Sequence, residues 1–533
     1  MADMTDDTLS DTHADLHRLT VLDALALFRT GELSPVDYLE AHLARIGALD
    51  GSAETGGINC IVDTLAESAR AAARDAEDAY AAARTAGSVV AGLGGRAAAG
   101  AGITSAETEG AQWPGGPGTY KPLLGIPLLV KEQHNLAGHS ATRGSQGRQG
   151  QVAPADAPIV ARLVAAGAIP FARTTTPELS CATFTQTREW GITRNPFNPE
   201  FTPGGSSGGS GAAVAAGFGP LATASDIAGS TRVPAAFCGL VGFKTPYGRT
   251  PGTQPLNADW YRGDHVLARS VADAAYATNV IMGIDAHEAS TTEPNPVLDY
   301  ERAQAIADRR GPAPDLTGWR VAVSADLGCY AVDPAVAQNL RTVAEALAGA
   351  GASVEWVPVG LDLTEVQAAS MTHYGYVLAE YMVDAVGGDE RFGDLEDYAQ
   401  VFVDKTRAAA GERSMFAGMA LEARVQNAIA DAMAGYDLLL TPTSAVQALE
   451  AGNAYLDGIE RPDGHHDFYW EAHMTVPFNI ANRCPVVSVP SGLGSTGVPT
   501  GVQIVGHPYR DDSVFPVAAA LEHLLDWPRP PMF

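Results

Sequence analysis

The sequence predicts an α/β fold, a single large mixed β-sheet covered by helices on both faces, on three observations. Short apolar runs such as GIPLLVK, WRVAVS and YDLLLTPT alternate with stretches of helical periodicity from Leu123 onward. The strand, helix, strand succession first seen in GIPLLVK, APIVARLVAAG and AIPFAR returns in WRVAVS, DPAVAQNLRTVAEALAGAG and SVEWVPV. No Pro/Ser-rich linker separates these segments from the strands near the C-terminus.

Taken in order, residues 14–50 and 64–86 carry helical spacing. DALALFRTGELSPVDYLEAHLARI repeats apolar residues every three to four positions, and the Ala-rich TLAESARAAARDAEDAYAAARTAG stops at Gly87. These stretches form an N-terminal helical layer. Residues 88–120 are Gly/Ala-rich without period, which predicts a long loop, lid or insertion. Residues 1–120 are assigned to the same domain as a catalytic core spanning 121–533. Within that core Asp333 caps a helix opened by Pro334, and CPVVSVPS and GVQIVG add further strands.

Composition narrows the function. A chain of 533 residues, 46% hydrophobic and 18% charged, can bury a large core. A formal net charge of -28 repels phosphate backbones, and no Lys/Arg-rich run offsets it, so no nucleic-acid partner is expected. Five scattered cysteines without CxxC spacing exclude a disulfide framework and a zinc knuckle. The N-terminus lacks the pattern of a signal peptide and no apolar stretch is long enough to span a bilayer, so a cytoplasmic protein with no membrane partner is expected. Lysine is rare, occurring only at Lys121, Lys131, Lys244 and Lys405.

The chemistry is concentrated in FTPGGSSGGSGAAVAAGFGPLATASDIAGSTRVPAAFCGLVGFKTPYGRT, residues 201–250, where two Gly/Ser-rich turns flank a small-residue helix and a short strand. Clustered glycines let backbone N–H groups converge on a ligand, and the adjacent serines can attack or relay protons. A phosphate-binding loop is excluded because no lysine follows the glycines. Gly204-Gly205-Ser206-Ser207-Gly208 matches the GxSxG of a nucleophile elbow, but the preceding NPEFTP, with two prolines, is not the apolar strand an elbow needs.

The whole segment resembles the amidase signature family of amide hydrolases. The resemblance extends upstream through PLLGIPLLVKEQHNLAGHSATRGS and downstream through LARSVADAA, YDLLLTPTSA and FNIANRCPVVSVPSGLGSTGVPTGVQIVG. It implies that Ser230 is the acyl-accepting nucleophile, that Ser206 bridges on a cis peptide bond after Gly205, and that Lys131 is the base. It also implies an oxyanion hole of backbone N–H groups from Ile227, Ala228, Gly229 and Ser230, with no metal and no organic cofactor. A lysine has an ordinary pKa of ~10.4, so it serves as a base near neutrality only when burial disfavours its charged form.

The sequence departs from the family pattern at Ala228, where glycine is common, at Glu132, where aspartate is common, and at Asn482. Ala228 is strained only if it needs a positive φ. Glu132 opposes catalysis only if its carboxylate faces Lys131, and alternation along a strand predicts that it faces elsewhere. Asp226 and Arg232 read as a structural charge pair, Cys238 as a small core residue, and His134 and His139 as structural or surface histidines. His465, His466 and His473 fit no common metal template, whereas Phe468, Tyr469 and Trp470 beside them suit an aromatic substrate pocket.

The resemblance thus implies a hydrolase acting on the C–N bond of a small-molecule carboxamide, with esters and carbamates open to the same acyl-enzyme chemistry. The alternatives are a biosynthetic acyl transferase and a glutamine-hydrolysing amidotransferase subunit. A homodimer is the default expectation for such a soluble enzyme.

Overall fold

The computed structural model describes residues 16–51, 56–85, 121–293, 297–309 and 311–533, and the predicted insertion at 88–120 lies outside them. Eleven strands form one mixed sheet: β1 (Ile61–Thr64), β2 (Pro127–Lys131), β3 (Ile169–Thr174), β4 (Leu221–Asp226), β5 (Val241–Lys244), β6 (Gly263–Ala268), β7 (Arg320–Val323), β8 (Ser353–Trp356), β9 (Leu438–Pro442), β10 (Val486–Leu493) and β11 (Pro499–Gly506). Their spatial order is β1-β3-β2-β4-β6-β5-β10-β11-β9-β7-β8. β3, β2 and β4 run parallel, as do β9, β7 and β8, and the strands between these groups pair antiparallel.

Neighbouring residues on a strand feed different cores, as the two-residue period of a pleated strand requires. Leu128, Val130, Leu221, Val266, Leu440 and Ile504 pack into one core with helices Val21–Thr30, Pro158–Ala165, Val271–Ile281, Pro334–Gly349 and Asp511–Leu524. Their strand neighbours face the other way. Leu129, Phe171, Ala222 and Leu267 meet helices Pro35–Leu49, Ala66–Thr85 and Gly208–Ala215, while Ala322, Leu439 and Val505 meet helices Leu363–Tyr374, Asp397–Glu412 and Met415–Ala432. The central strands are therefore apolar on both faces, which is why the sequence shows runs there and not alternation.

Local signals explain most boundaries. Asp333 accepts from the Ala335 N–H at 2.8 Å and Pro334 opens the helix behind it. The N-terminal layer departs from the purely helical expectation: Ile61–Thr64 is an edge strand pairing antiparallel with β3. Four residues with only two apolar side chains give no periodic signal, and the strand is held instead by its pairing and by Asp50, whose carboxylate accepts the N–H groups of Cys60 and Ile61 at 2.7 and 3.1 Å. Among the described residues no helix is long and apolar enough to cross a membrane.

Candidate active site

β2 and β4 are adjacent and parallel, so their C-terminal ends open on the same edge of the sheet, where α/β folds build ligand crevices. Lys131 ends β2, and the turn carrying Ser230 follows Asp226 at the end of β4. The chain 201–207 enters this edge just before helix Gly208–Ala215, and the Gly205–Ser206 peptide bond is cis. Gly205 is required by close approach: a Cβ there would lie 2.7 Å from the carbonyl oxygens of both Ala182 and Phe184. The Ser207 N–H donates to the Ser230 carbonyl at 3.3 Å, joining the two Gly/Ser turns. No strand leads into Ser206, unlike a nucleophile elbow.

Lys131 is fully buried. Its Nζ donates to Ser206 Oγ at 2.8 Å, Ser225 Oγ at 2.9 Å and Ser207 Oγ at 3.0 Å, a cage of three hydroxyls with no carboxylate in contact. Burial pushes the lysine well below its ordinary range and the Arg262 charge adds to this, while Asp264 and Asp226 oppose it from a distance. Glu132 turns away, as expected from alternation: its carboxylate accepts from Thr142 Oγ1 at 3.3 Å and lies 3.8 Å from Arg173, and burial raises its pKa to about 7. His134 is a buried structural histidine, held by Thr223 Oγ1 at 2.9 Å and Asp264 at 3.2 Å.

The turn from Asp226 to Arg232 is pinned from several sides. Arg232 binds Asp226 in a bidentate pair, both N···O distances being 2.9 Å, and also donates to the Thr475 carbonyl, Gln503 and Asn479. Burial by itself would raise the Asp226 carboxyl, but Arg232 holds it well below the usual carboxylate range. Ala228 has no positive φ, so its methyl introduces no backbone strain. Gly229 does, with φ at +116°, and a Cβ there would fall 2.2 Å from Thr475 Oγ1. Gly229→Ala is therefore expected to displace the turn and reduce kcat at least about tenfold, as catalytic geometry degrades over fractions of an ångström. Steady-state kinetics beside a melting curve checks this, and near-normal kcat would contradict it.

One sequence expectation needs correction. The Gly229 N–H, expected in the oxyanion hole, donates instead to Asp226 Oδ1 at 2.8 Å. An N–H has a single hydrogen, and one engaged by a buried carboxylate is not available to a substrate oxygen. The N–H groups of Ile227, Ala228 and Ser230 have no such acceptor among the described residues.

The remaining candidates sort by contact. His465 and His466 diverge, the first to Glu460 at 2.8 Å and the second to Glu471 and Asp463, while buried His473 bridges Ser444 and Thr183. Among the described residues no cluster of three or more His, Cys, Asp or Glu side chains could hold a metal. Phe468, Tyr469 and Trp470 are buried in an aromatic cluster with Phe184, Phe402 and Tyr374, and Tyr374 Oη donates to the Ile227 carbonyl at 3.0 Å. Cys238 is buried and free.

Sequence reasoning missed Ser207 and Ser225, and it did not foresee the contact of Tyr374 with the Ile227 carbonyl. Ser225 was the accessible one: in LATASD it stands two residues after Thr223, which accepts the Lys131 N–H, so both face Lys131 on the same side of β4. Tyr374 lies 147 residues from Ile227 and carries no local signal.

Comparisons with known proteins bear on the family and the fold. The family model described as Amidase matches residues 102–515. A 6-aminohexanoate-cyclic-dimer hydrolase of Pseudomonas sp. (strain NK87) is 32% identical over 521 residues, 94% of each chain. A glutamyl-tRNA(Gln) amidotransferase subunit of Roseiflexus sp. (strain RS-1) is 29% identical over 96% of this chain and 97% of its own. Among solved structures, a bacterial aryl acylamidase of the amidase signature enzymes superposes with a TM-score of 0.79 at 23% identity, covering 96% of this chain and 97% of that one, a likeness of fold.

Proposed function

The chain belongs to the amidase family and is an amide hydrolase, and from that premise we propose that it cleaves a small-molecule carboxamide through an acyl-enzyme on Ser230. The observation that carries this is the buried Lys131 amine, which contacts three serine hydroxyls and no carboxylate. Neutral Lys131 accepts the Ser206 proton as Ser206 takes that of Ser230, and Ser230 Oγ adds to the carbonyl carbon. The oxyanion then accepts hydrogen bonds from N–H groups among those of Ile227, Ala228 and Ser230. Return of the proton through the relay to the leaving nitrogen breaks the C–N bond and leaves an ester on Ser230. Water, deprotonated by the same route, adds to that ester, and Ser230 leaves with the proton restored.

The chemistry requires no cofactor, and the small cyclic amide named for the Pseudomonas relative makes linear and cyclic aliphatic amides the first substrates to try. Similarity to the Roseiflexus amidotransferase chain supports a second reading, release of ammonia from glutamine for a partner.

A fluorophosphonate is expected to phosphonylate Ser230, mapped by mass spectrometry after proteolysis, with turnover of an amide panel that includes glutamine lost in parallel. A label on Ser206 would reverse the two roles. Turnover of glutamine alone, dependent on an added partner, would transfer the assignment to the second reading.

A further inference from the structure

We propose that Tyr374 is a positioning residue for the oxyanion hole: by donating to the Ile227 carbonyl it fixes the peptide plane whose opposite edge presents the Ala228 N–H to the substrate. This rests on the acyl-enzyme reading above and adds a residue far outside the Gly/Ser segment. In a trans peptide the C=O of one residue and the N–H of the next point in opposite directions within one plane, so holding one aims the other. The Ile227–Ala228 bond is trans, since the cis bonds among the described residues are Gly205–Ser206 and Gln254–Pro255.

The planes of this turn have separate holders. The Ala228 carbonyl accepts from Thr475 Oγ1 at 2.6 Å while the N–H of the same plane, that of Gly229, binds Asp226. The Gly229 carbonyl accepts from the Val233 N–H at 2.7 Å, which orients the Ser230 N–H. The Ile227 carbonyl has Tyr374 Oη at 3.0 Å, with no second donor among the described contacts. The plane that aims the Ala228 N–H thus depends on a side chain from another part of the chain.

Tyr374 is itself firmly held. It is fully buried at the end of helix Leu363–Tyr374, where a π-helical turn, Gly375–Ala379, begins. Such turns often occur at functional sites. Its ring meets Tyr261 and Trp470 edge-on at 5.7 and 5.3 Å. The preceding residue, His373, stacks on Tyr261 at 3.8 Å and binds Asp259 at 2.8 Å, and Tyr261 in turn donates to Glu422 at 3.0 Å. Burial holds the Tyr374 phenol well above its usual range, so it remains protonated as a donor.

The test is Tyr374→Phe, which keeps the ring and deletes the donor, beside Tyr276→Phe as a matched lesion. Tyr276 is also buried and donates to a backbone carbonyl, that of Pro122 at 2.9 Å, in the core on the other face of the sheet. Tyr374→Phe is expected to lower kcat about 10- to 30-fold with KM within twofold, less than outright loss of an oxyanion donor, about 10²–10³-fold. It is expected to weaken a substrate-shaped trifluoromethyl ketone, which forms a hemiketal oxyanion on Ser230, by the same factor, and the carboxylate product little. Tyr276→Phe is expected to shift the melting temperature with kcat unchanged. Unaltered kcat and ketone affinity in Tyr374→Phe would overturn the proposal, as would a Tyr374→Phe protein that fails to fold while Tyr276→Phe folds, since the bond would then be structural. Fluorophosphonate mapping of the wild-type protein separates the two levels: a label away from Ser230 refutes the acyl-enzyme reading itself, whereas a label on Ser230 with normal Tyr374→Phe kinetics refutes only this inference.

Discussion

Lys131→Met is expected to lower kcat by about 10³–10⁴-fold while the protein stays folded, and Ser230→Ala by at least as much. Methionine matches the lysine stem in length and apolar character, so the cavity remains filled while the base is removed. Ser206 Oγ then loses its contact with Lys131 Nζ, and with it the group able to hold its proton. Because the three residues act as one relay, Lys131→Met combined with Ser230→Ala is expected to be little worse than Ser230→Ala alone. Single-turnover kinetics on an activated amide measures all three proteins. A Lys131→Met enzyme retaining more than about a tenth of wild-type kcat would remove the base assignment, since general-base contributions below 10²-fold are unusual.

The same lysine sets a pH dependence. Its folded-state pKa lies well below the ordinary lysine value of ~10.4, so catalysis is expected to fall on acidification as Lys131 takes up a proton, with the limb well below the lysine range. For stability the sign follows from proton counts. Between the folded and unfolded pKa values the unfolded chain binds one more proton, so stability attributable to this group rises with pH across that window. Lys131→Met is expected to flatten that slope, read from denaturant midpoints against pH.

Arg232→Met is expected to give the largest loss of stability, about 3–5 kcal/mol, because removing one member of a buried ion pair leaves the other charge uncompensated. Arg232 and Asp226 are both fully buried, and Arg232 also serves the Thr475 carbonyl, Gln503 and Asn479. In the native protein the Asp226 carboxyl lies below its unfolded value, so its contribution is complete above that value, ~3.9, and is lost only as pH falls through the lower, folded one. Without Arg232, burial dominates and raises the carboxyl, and stability should instead fall as pH rises. Urea denaturation at pH 5 and pH 8 compares the two slopes. A loss below about 1 kcal/mol, the scale of a surface pair, would mean that the pair is screened. Activity should fall too, because Asp226 holds the N–H groups of Gly229 and Thr231.

How much of this was legible in the chain depended on whether the signal was local. The strands GIPLLVK, WRVAVS and YDLLLTPT and the capped helix after Asp333 were legible because apolar runs and caps act over a few residues. The edge strand Ile61–Thr64 was not, since its partner lies more than a hundred residues away. The charge pair of Asp226 and Arg232 was legible from proximity in sequence, six residues apart. The orientation of Glu132 followed from strand alternation, and its contacts with Thr142 and Arg173 agree with it.

The sequence by itself determined the fold class and the Gly/Ser segment, which rest on residue type and short-range spacing, and its resemblance to a family marked Lys131, Ser206 and Ser230 as candidates. Only the tertiary structure decided what surrounds them. The parallel register of β2 and β4 brings Lys131 to Ser225 across 94 positions, and a carboxylate rather than a substrate takes the Gly229 N–H. A hydrogen bond depends on distance and direction in space, and neither is encoded in a residue's neighbours along the chain.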